Sequence, residues 1–269
     1  MRTSSNPAFR NLPVGQAGGH ATFDRQGGVA GGSAAYTDAR AAQAGFGRAG
    51  AGERALTIDD VVTKTAISAG AALLAGVLTA VSGLTFLVLP AFIVGLVVSL
   101  VLIFKPNLAK APLVLTYSIA EGVVLGGITQ LFEQIYPGIA AQAIIGTAGV
   151  FVGMLVIYKT GAVRVTPRFT KWLMGALIGV VVLMLANLVA GLFGVNLGLR
   201  DGGWLAILFS LVVIAVAAFS LLLDFDQADQ AIRAGAPARY AWYIAFGLMV
   251  TLVWLYLEIL RLLSYLRQE

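Results

Sequence analysis

The chain has 269 residues, of which 59% are hydrophobic and only 12% charged, with a mean hydropathy of +0.88. Soluble domains average about 45–50% apolar and about 25% charged residues, so this balance belongs to a polytopic membrane protein. The formal charge of +5 sits in a tail and between greasy segments rather than in a basic patch interleaved with aromatics, which argues against nucleic-acid binding, and the lack of cysteine excludes disulfides, thiolate catalysis and cysteine-based zinc sites.

Residues 1–55 are Gly, Ala, Ser and scattered charge with no apolar period. Such a segment cannot bury enough surface to offset its ordering entropy, and it lacks the apolar core and cleavage pattern of a signal peptide. The expectation is a disordered cytoplasmic tail, retained in the mature protein, in which the only histidine, His20, is solvated. Order is expected from "LTIDDVVTKTA", where Thr57 and Asp60 have the spacing of a capping box and Asp59 and Asp60 suit a helix N-terminus.

Seven apolar spans follow, near 65–85, 87–104, 112–133, 138–158, 172–194, 204–226 and 243–266, each close to the roughly 20 residues needed to cross about 30 Å of hydrocarbon. The fold class is therefore an all-α bundle of seven transmembrane helices over residues 56–269, without an internal repeat. Basic residues collect before span 1 (Arg48, Arg54, Lys64) and in the second (Lys105, Lys110), fourth (Lys159, Arg164, Arg168, Lys171) and sixth (Arg233, Arg239) connections. By the positive-inside rule the N-terminus is cytoplasmic and the C-terminus outside, although Arg261 and Arg267 leave the side of the last end open. Small-xxx-small pairs at Gly122/Gly126, Gly149/Gly153 and Gly175/Gly179 are read as helix-packing positions inside the bundle, and Asn187 as an interhelical hydrogen bonder.

Charges inside a membrane span cost about 2.5–3.5 kcal/mol each on insertion scales and mark function by default. Glu121 lies about nine residues into span 3; Asp224, Asp226 and Asp229 lie where span 6 ends; Glu258 and Arg261 interrupt the run "WLYLEILRLLSYL". Asp229 and Arg233 are i,i+4 and suit an ordinary surface pair; Glu258 and Arg261 are i,i+3 and can neutralise each other. Asp224 and Asp226 stand about 200° apart around a helix, so one faces the bundle and the other does not. Glu121 has no acid or base within one turn and needs a partner from another helix, a water cavity or a proton.

Together, the acidic "FDQAD" segment, the helix "LVWLYLEILRLLSYLR" and the Tyr117, Glu121, Gly122 pattern after a basic second loop resemble the Bax inhibitor-1 (transmembrane Bax-inhibitor-motif) family. The resemblance covers residue 60 to the end; the tail and "TIDDVVTKT" look like its bacterial branch, actinobacterial members above all. It implies a calcium leak of the bacterial plasma membrane, closed by a pair of acids from helices 6 and 7. By position these are Asp226 and Glu258, with Glu121 also on the calcium path and Asp224, Lys105 and Arg261 supporting the gate. Glu258 stands where the family has Asp. If span 7 starts at 243, Glu258 lies about 22 Å along it. Meeting Asp226 then requires residues 240–250 to run along the interface, which Tyr240, Trp242 and Tyr243 suit. Two such acids would share a proton and titrate as one unit.

Calcium ions and membrane lipid are the expected partners, with no cofactor; a monomer and a weak homo-oligomer both stay open. The chain is expected not to be an enzyme. No span holds the histidine of a rhomboid-type protease, the Gly-x-Gly-Asp setting of an intramembrane aspartyl protease, or a Schiff-base lysine in the last helix. The alternatives are a proton-coupled transporter of another small solute and a non-conducting regulator that binds partner proteins.

Overall fold

The computed structural model describes residues 49–50, 52–195 and 197–268. Most of the expected tail, His20 included, lies outside the described residues. Seven long helices follow in order: α1 (Ile58–Ser82), α2 (Val88–Phe104), α3 (Ala111–Ile135), α4 (Ile139–Thr160), α5 (Pro167–Leu192), α6 (Trp204–Arg233) and α7 (Ala241–Leu266). All seven are long and apolar enough to cross a membrane, α2 and α7 counted with the single 3₁₀ turns that precede them, so the protein is an all-α seven-span bundle.

Local chemistry sets the helix ends. The capping box forms as expected: the Thr57 side chain accepts from the Asp60 N–H, and the Asp60 carboxylate accepts from the Thr57 N–H at 3.1 Å. Helix α1 therefore starts at Ile58, a turn and more before the apolar run at 65. Thr166 caps α5 through the Phe169 N–H at 3.2 Å, with Pro167 at the first helical position, where its missing N–H costs nothing. At the start of α4 the cap comes from outside the helix, where the Glu133 carboxylate accepts from the N–H groups of Gly138 (2.5 Å) and Ala140 (2.9 Å).

Helix α7 is the most buried span, packed by α1, α3, α4 and α6, whereas α2 and α5 are the most exposed. Helices α1 and α3 make the closest crossing. A methyl group built on Gly122 would fall on the backbone of Ala72, 2.8 Å from its Cα, and one on Gly126 would fall equally close to Gly76. Glycine is required there because the two backbones touch. The other two glycine pairs do not behave this way, because a Cβ on Gly149, Gly153, Gly175 or Gly179 meets nothing within 4 Å. The expectation that all three pairs serve packing inside the bundle holds only for Gly122 and Gly126. Asn187 is half-buried on α5 and makes no interhelical hydrogen bond among the described residues.

The last helix corrects a second expectation. Residues 241–250 do not lie along an interface before the span; they are the first turns of one continuous helix, with Ala241, Ala245, Phe246, Leu248 and Met249 buried. The aromatic residues near 240 turn inward instead: the Phe246 ring meets Tyr117 edge-on at 4.9 Å and Tyr243 at 6.3 Å. Packing of these rings against α3 outweighs their preference for the headgroup level.

Candidate functional site

The acids fall into three neighbourhoods around α7. Asp224, nine residues before the end of α6, faces α7: the Thr251 hydroxyl donates to Asp224 Oδ2 at 2.7 Å. Beside it opens a small cavity of about 80 Å³, lined by Asp224, Gln227, Tyr243, Ile244, Phe246 and Gly247. That exceeds the about 10–15 Å³ a single water needs, and the carboxylate gives such water a polar partner. Leu221, Leu222 and Phe225, neighbours of Asp224 along α6, belong to the buried core. The carboxylate thus borders a pocket with room for water, shared with Gln227 and Tyr243.

Asp226 faces the other way, as the 200° separation requires. Its Oδ2 accepts from Gln230 Nε2 at 2.5 Å, and it sits beside Tyr158 of α4. Asp229 completes this second group, with Arg233 at 2.8 Å and the Tyr158 hydroxyl at 3.4 Å. The Asp229–Arg233 pair is the surface pair expected from its spacing, with the arginine side chain 77% exposed.

Glu258 forms the third group, toward the opposite end of α7. It is 2% exposed and bonded through Oε1 to Arg261 at 2.5 Å, while its Oε2 is buried without a hydrogen-bond partner. Arg200 and Tyr265 lie close enough to interact with it electrostatically, and burial, followed by the neighbouring Arg261, holds the Arg200 guanidinium below its ordinary range.

Asp226 and Glu258 are therefore not brought together. Thr251 and Asp224 mark one level of the α6–α7 pair; Glu258 is seven residues up α7 and Asp226 two residues down α6, an axial separation of about 13 Å at 1.5 Å per residue. The two also point to different neighbours, Tyr158 for one and Arg261 for the other. The cause is the continuous α7, which leaves no interfacial segment to lower Glu258 toward the inner acids. Lys105 is exposed at the end of α2 and its side chain has no ion-pair or hydrogen-bond partner among the described residues, so it does not reach these acids either.

Glu121 is half-buried on α3. It sits beside Tyr117 one turn below, and its Oε1 lies 3.3 Å from where a Cβ on Gly95 of α2 would be. Because Tyr117 also contacts Phe246, a line of side chains runs from Glu121 through Tyr117 and Phe246 to the Asp224 cavity. Among the described residues, no three His, Cys, Asp or Glu side chains form a group that could hold a metal ion.

Thr251 and Gln227 were not singled out by the sequence, and Tyr243 was read as an interfacial ring and not as part of a site. Thr251 had a signal, being the one polar side chain in "AFGLMVTLVWL", two turns before Glu258. Gln227 had none, since a polar helix end is ordinary, and the aromatic character of Tyr243 pointed to the interface instead of the cavity.

Fold and site together define a multi-pass membrane protein whose apolar helices carry separated acids toward a common central helix. The Bax inhibitor 1 like family model matches residues 6–268, nearly the whole chain, and the chain belongs to the Bax inhibitor-1 family. No curated protein matches the sequence.

Proposed function

We propose that the protein is a passive, pH-sensitive leak for cations, calcium chief among them, in the plasma membrane of a bacterium. The end carrying Lys105, Lys110, Lys159, Arg164, Arg168, Lys171, Arg233 and Arg239 is the cytoplasmic one, by the positive-inside rule. The observation that carries the reading is Asp224: a carboxylate beside a cavity between α6 and α7, held by one hydroxyl and, among the described residues, by no base. Carboxylate oxygen is a hard ligand suited to calcium, and an intramembrane acid without a charged partner is costly unless it serves transport or proton transfer.

In this reading Asp224 takes the place given to Asp226 by position, and Glu121 supplies a second carboxylate at a similar depth. Glu258, neutralised by Arg261, closes the path at the opposite end. The Asp224 carboxylate is a proton acceptor, so acid changes the charge along the path and with it the flux.

Liposomes containing only the purified protein provide the test. Calcium uptake above that of protein-free liposomes is the expected result. Uptake no greater than that of protein-free liposomes at acidic, neutral and mildly alkaline pH would exclude the reading and leave a transporter of another solute or a non-conducting regulator.

A further inference from the structure

We propose that Glu53–Leu56 is a clasp that holds the α6–α7 turn shut over the basic end of the bundle, and that its release opens the Asp224 cavity to that side. The segment runs antiparallel to the turn, with Ala55 bridged to Pro237. The Leu56 N–H donates to the Ala236 carbonyl at 2.7 Å, and the Ala238 N–H donates back to the Arg54 carbonyl at 2.9 Å. Arg239 pairs with Glu53 at 2.6 Å. Leu56 is 3% exposed and belongs to the same apolar cluster as Ala231, Ala236 and Ala241, the residues on which the turn is built.

The other end of the clasp is anchored on α1. Arg54 pairs with Asp60 of the capping box at 2.6 Å, and Lys64, one turn further, donates to the Ala238 carbonyl at 3.0 Å and stacks over Trp242. Segments more than 170 positions apart in sequence are thus stitched together at the point where α6 reverses into α7. Gly235, at φ 68°, gives that reversal a left-handed residue that only glycine adopts without strain. The cavity begins inside the bundle from this turn, its lining running from Tyr243, two residues into α7, and Gln227, six before the end of α6, to Gly247 and Asp224 about a turn deeper.

The materials of the clasp suit a reversible contact. The Arg239 and Glu53 side chains are 65% and 42% exposed, so their pair is screened and weak. A few backbone hydrogen bonds at the surface and a single buried leucine place the contact at the low end of local stabilities, where functional opening occurs. The proposal rests on the leak reading only for what passes when the cavity opens, and its test uses access instead of flux.

The chain has no cysteine, so an introduced thiol is unique. Gly247→Cys places one in the cavity wall, where a Cβ meets nothing within 4 Å. Its rate of reaction with a small water-soluble thiol reagent, applied from the basic side, reports opening. Leu56→Ala should raise that rate about tenfold or more, the scale on which losing a buried leucine shifts a local equilibrium. Because that variant can misfold, Glu53→Arg provides a second release, reversed by the added Arg239→Glu. Ala55→Cys with Pro237→Cys provides a lock, since antiparallel partners stand about 4.5–5.5 Å apart at Cα, within disulfide range. Oxidised, this pair should hold the rate at or below the level of the intact clasp even with Leu56→Ala, whereas Ala55→Cys without Pro237→Cys, which forms no bridge, should not; labelling of the same variants with Gly247 retained is subtracted. Rates that ignore release and lock alike would overturn the clasp. A clasp-dependent rate without any calcium flux would leave the clasp standing and overturn the leak.

Discussion

The Thr251 hydroxyl and the Asp224 carboxylate meet at 2.7 Å across the α6–α7 interface, the only hydrogen bond from one of these long helices to the other among those formed by the described residues. Thr251 is 8% exposed, so the bond lies away from bulk solvent, where a hydrogen bond to a charged group contributes about 1.5–3 kcal/mol. Thr251→Val keeps the shape and removes the donor; a loss of about that size is expected in detergent-solubilised protein, with Thr251→Ser largely retaining stability. Thermal unfolding followed by circular dichroism checks it. Equal stability of the valine and serine variants would show that the bond does not join the helices.

A second prediction concerns the glycines. Gly122→Ala and Gly126→Ala each force a methyl group into the backbone of α1 and should cost about 1–3 kcal/mol or more, as overpacking does. Gly149→Ala and Gly175→Ala meet open space and should be neutral, or stabilising by about 0.5–1 kcal/mol through helix propensity. Unfolding midpoints of the four variants, compared side by side, separate the two classes. A destabilising Gly149→Ala would indicate a partner helix from a second copy.

A third concerns the pair at the far end. Glu258 is buried and Arg261 is its only ion-pair partner among the described residues. Removing one member of a buried pair leaves an uncompensated charge and typically costs about 3–5 kcal/mol. Arg261→Met should therefore be more damaging than Arg261→Met combined with Glu258→Gln. Unfolding midpoints of the two singles and the double test this; a double variant worse than either single would mean that the pair holds the bundle together beyond its charge balance.

The number of helices and the capping of α1 were legible because both rest on local signals: runs of apolar residues matched to hydrocarbon thickness, and Thr57 spaced from Asp60. The opposite facing of Asp224 and Asp226 was equally legible from helical period. What the period could not supply was the partner of each acid, because that depends on the register between α6 and α7. Reading Tyr240, Trp242 and Tyr243 as interfacial anchors shifted that register by several turns and placed Asp226 beside Glu258; Phe246 and Tyr243 instead pack in toward Tyr117. The strand-like pairing of Ala55 with Pro237 was illegible for a different reason. It is made by backbone groups in a short segment with no side-chain pattern, and composition alone assigns such a segment to a tail.

Asp226 and Asp229 predict an internal control. Both face α4 and bond to Gln230 and Arg233 on their own helix. Asp226→Asn and Asp229→Asn should leave the pH dependence of flux unchanged, since neither carboxylate lines the cavity. Proton-dependent flux lost in Asp226→Asn would return the gate to that residue.

The most direct measurement is calcium uptake by liposomes containing wild-type protein or Asp224→Asn, followed from acidic to neutral pH. Asparagine is the neutral analogue of the protonated acid. If Asp224 is the titrating group of the path, Asp224→Asn at neutral pH should reproduce the wild-type flux at its acid limit and should not change further with pH. A variant that keeps the wild-type pH profile would contradict the assignment of Asp224, and wild-type liposomes that take up no calcium would contradict the leak itself.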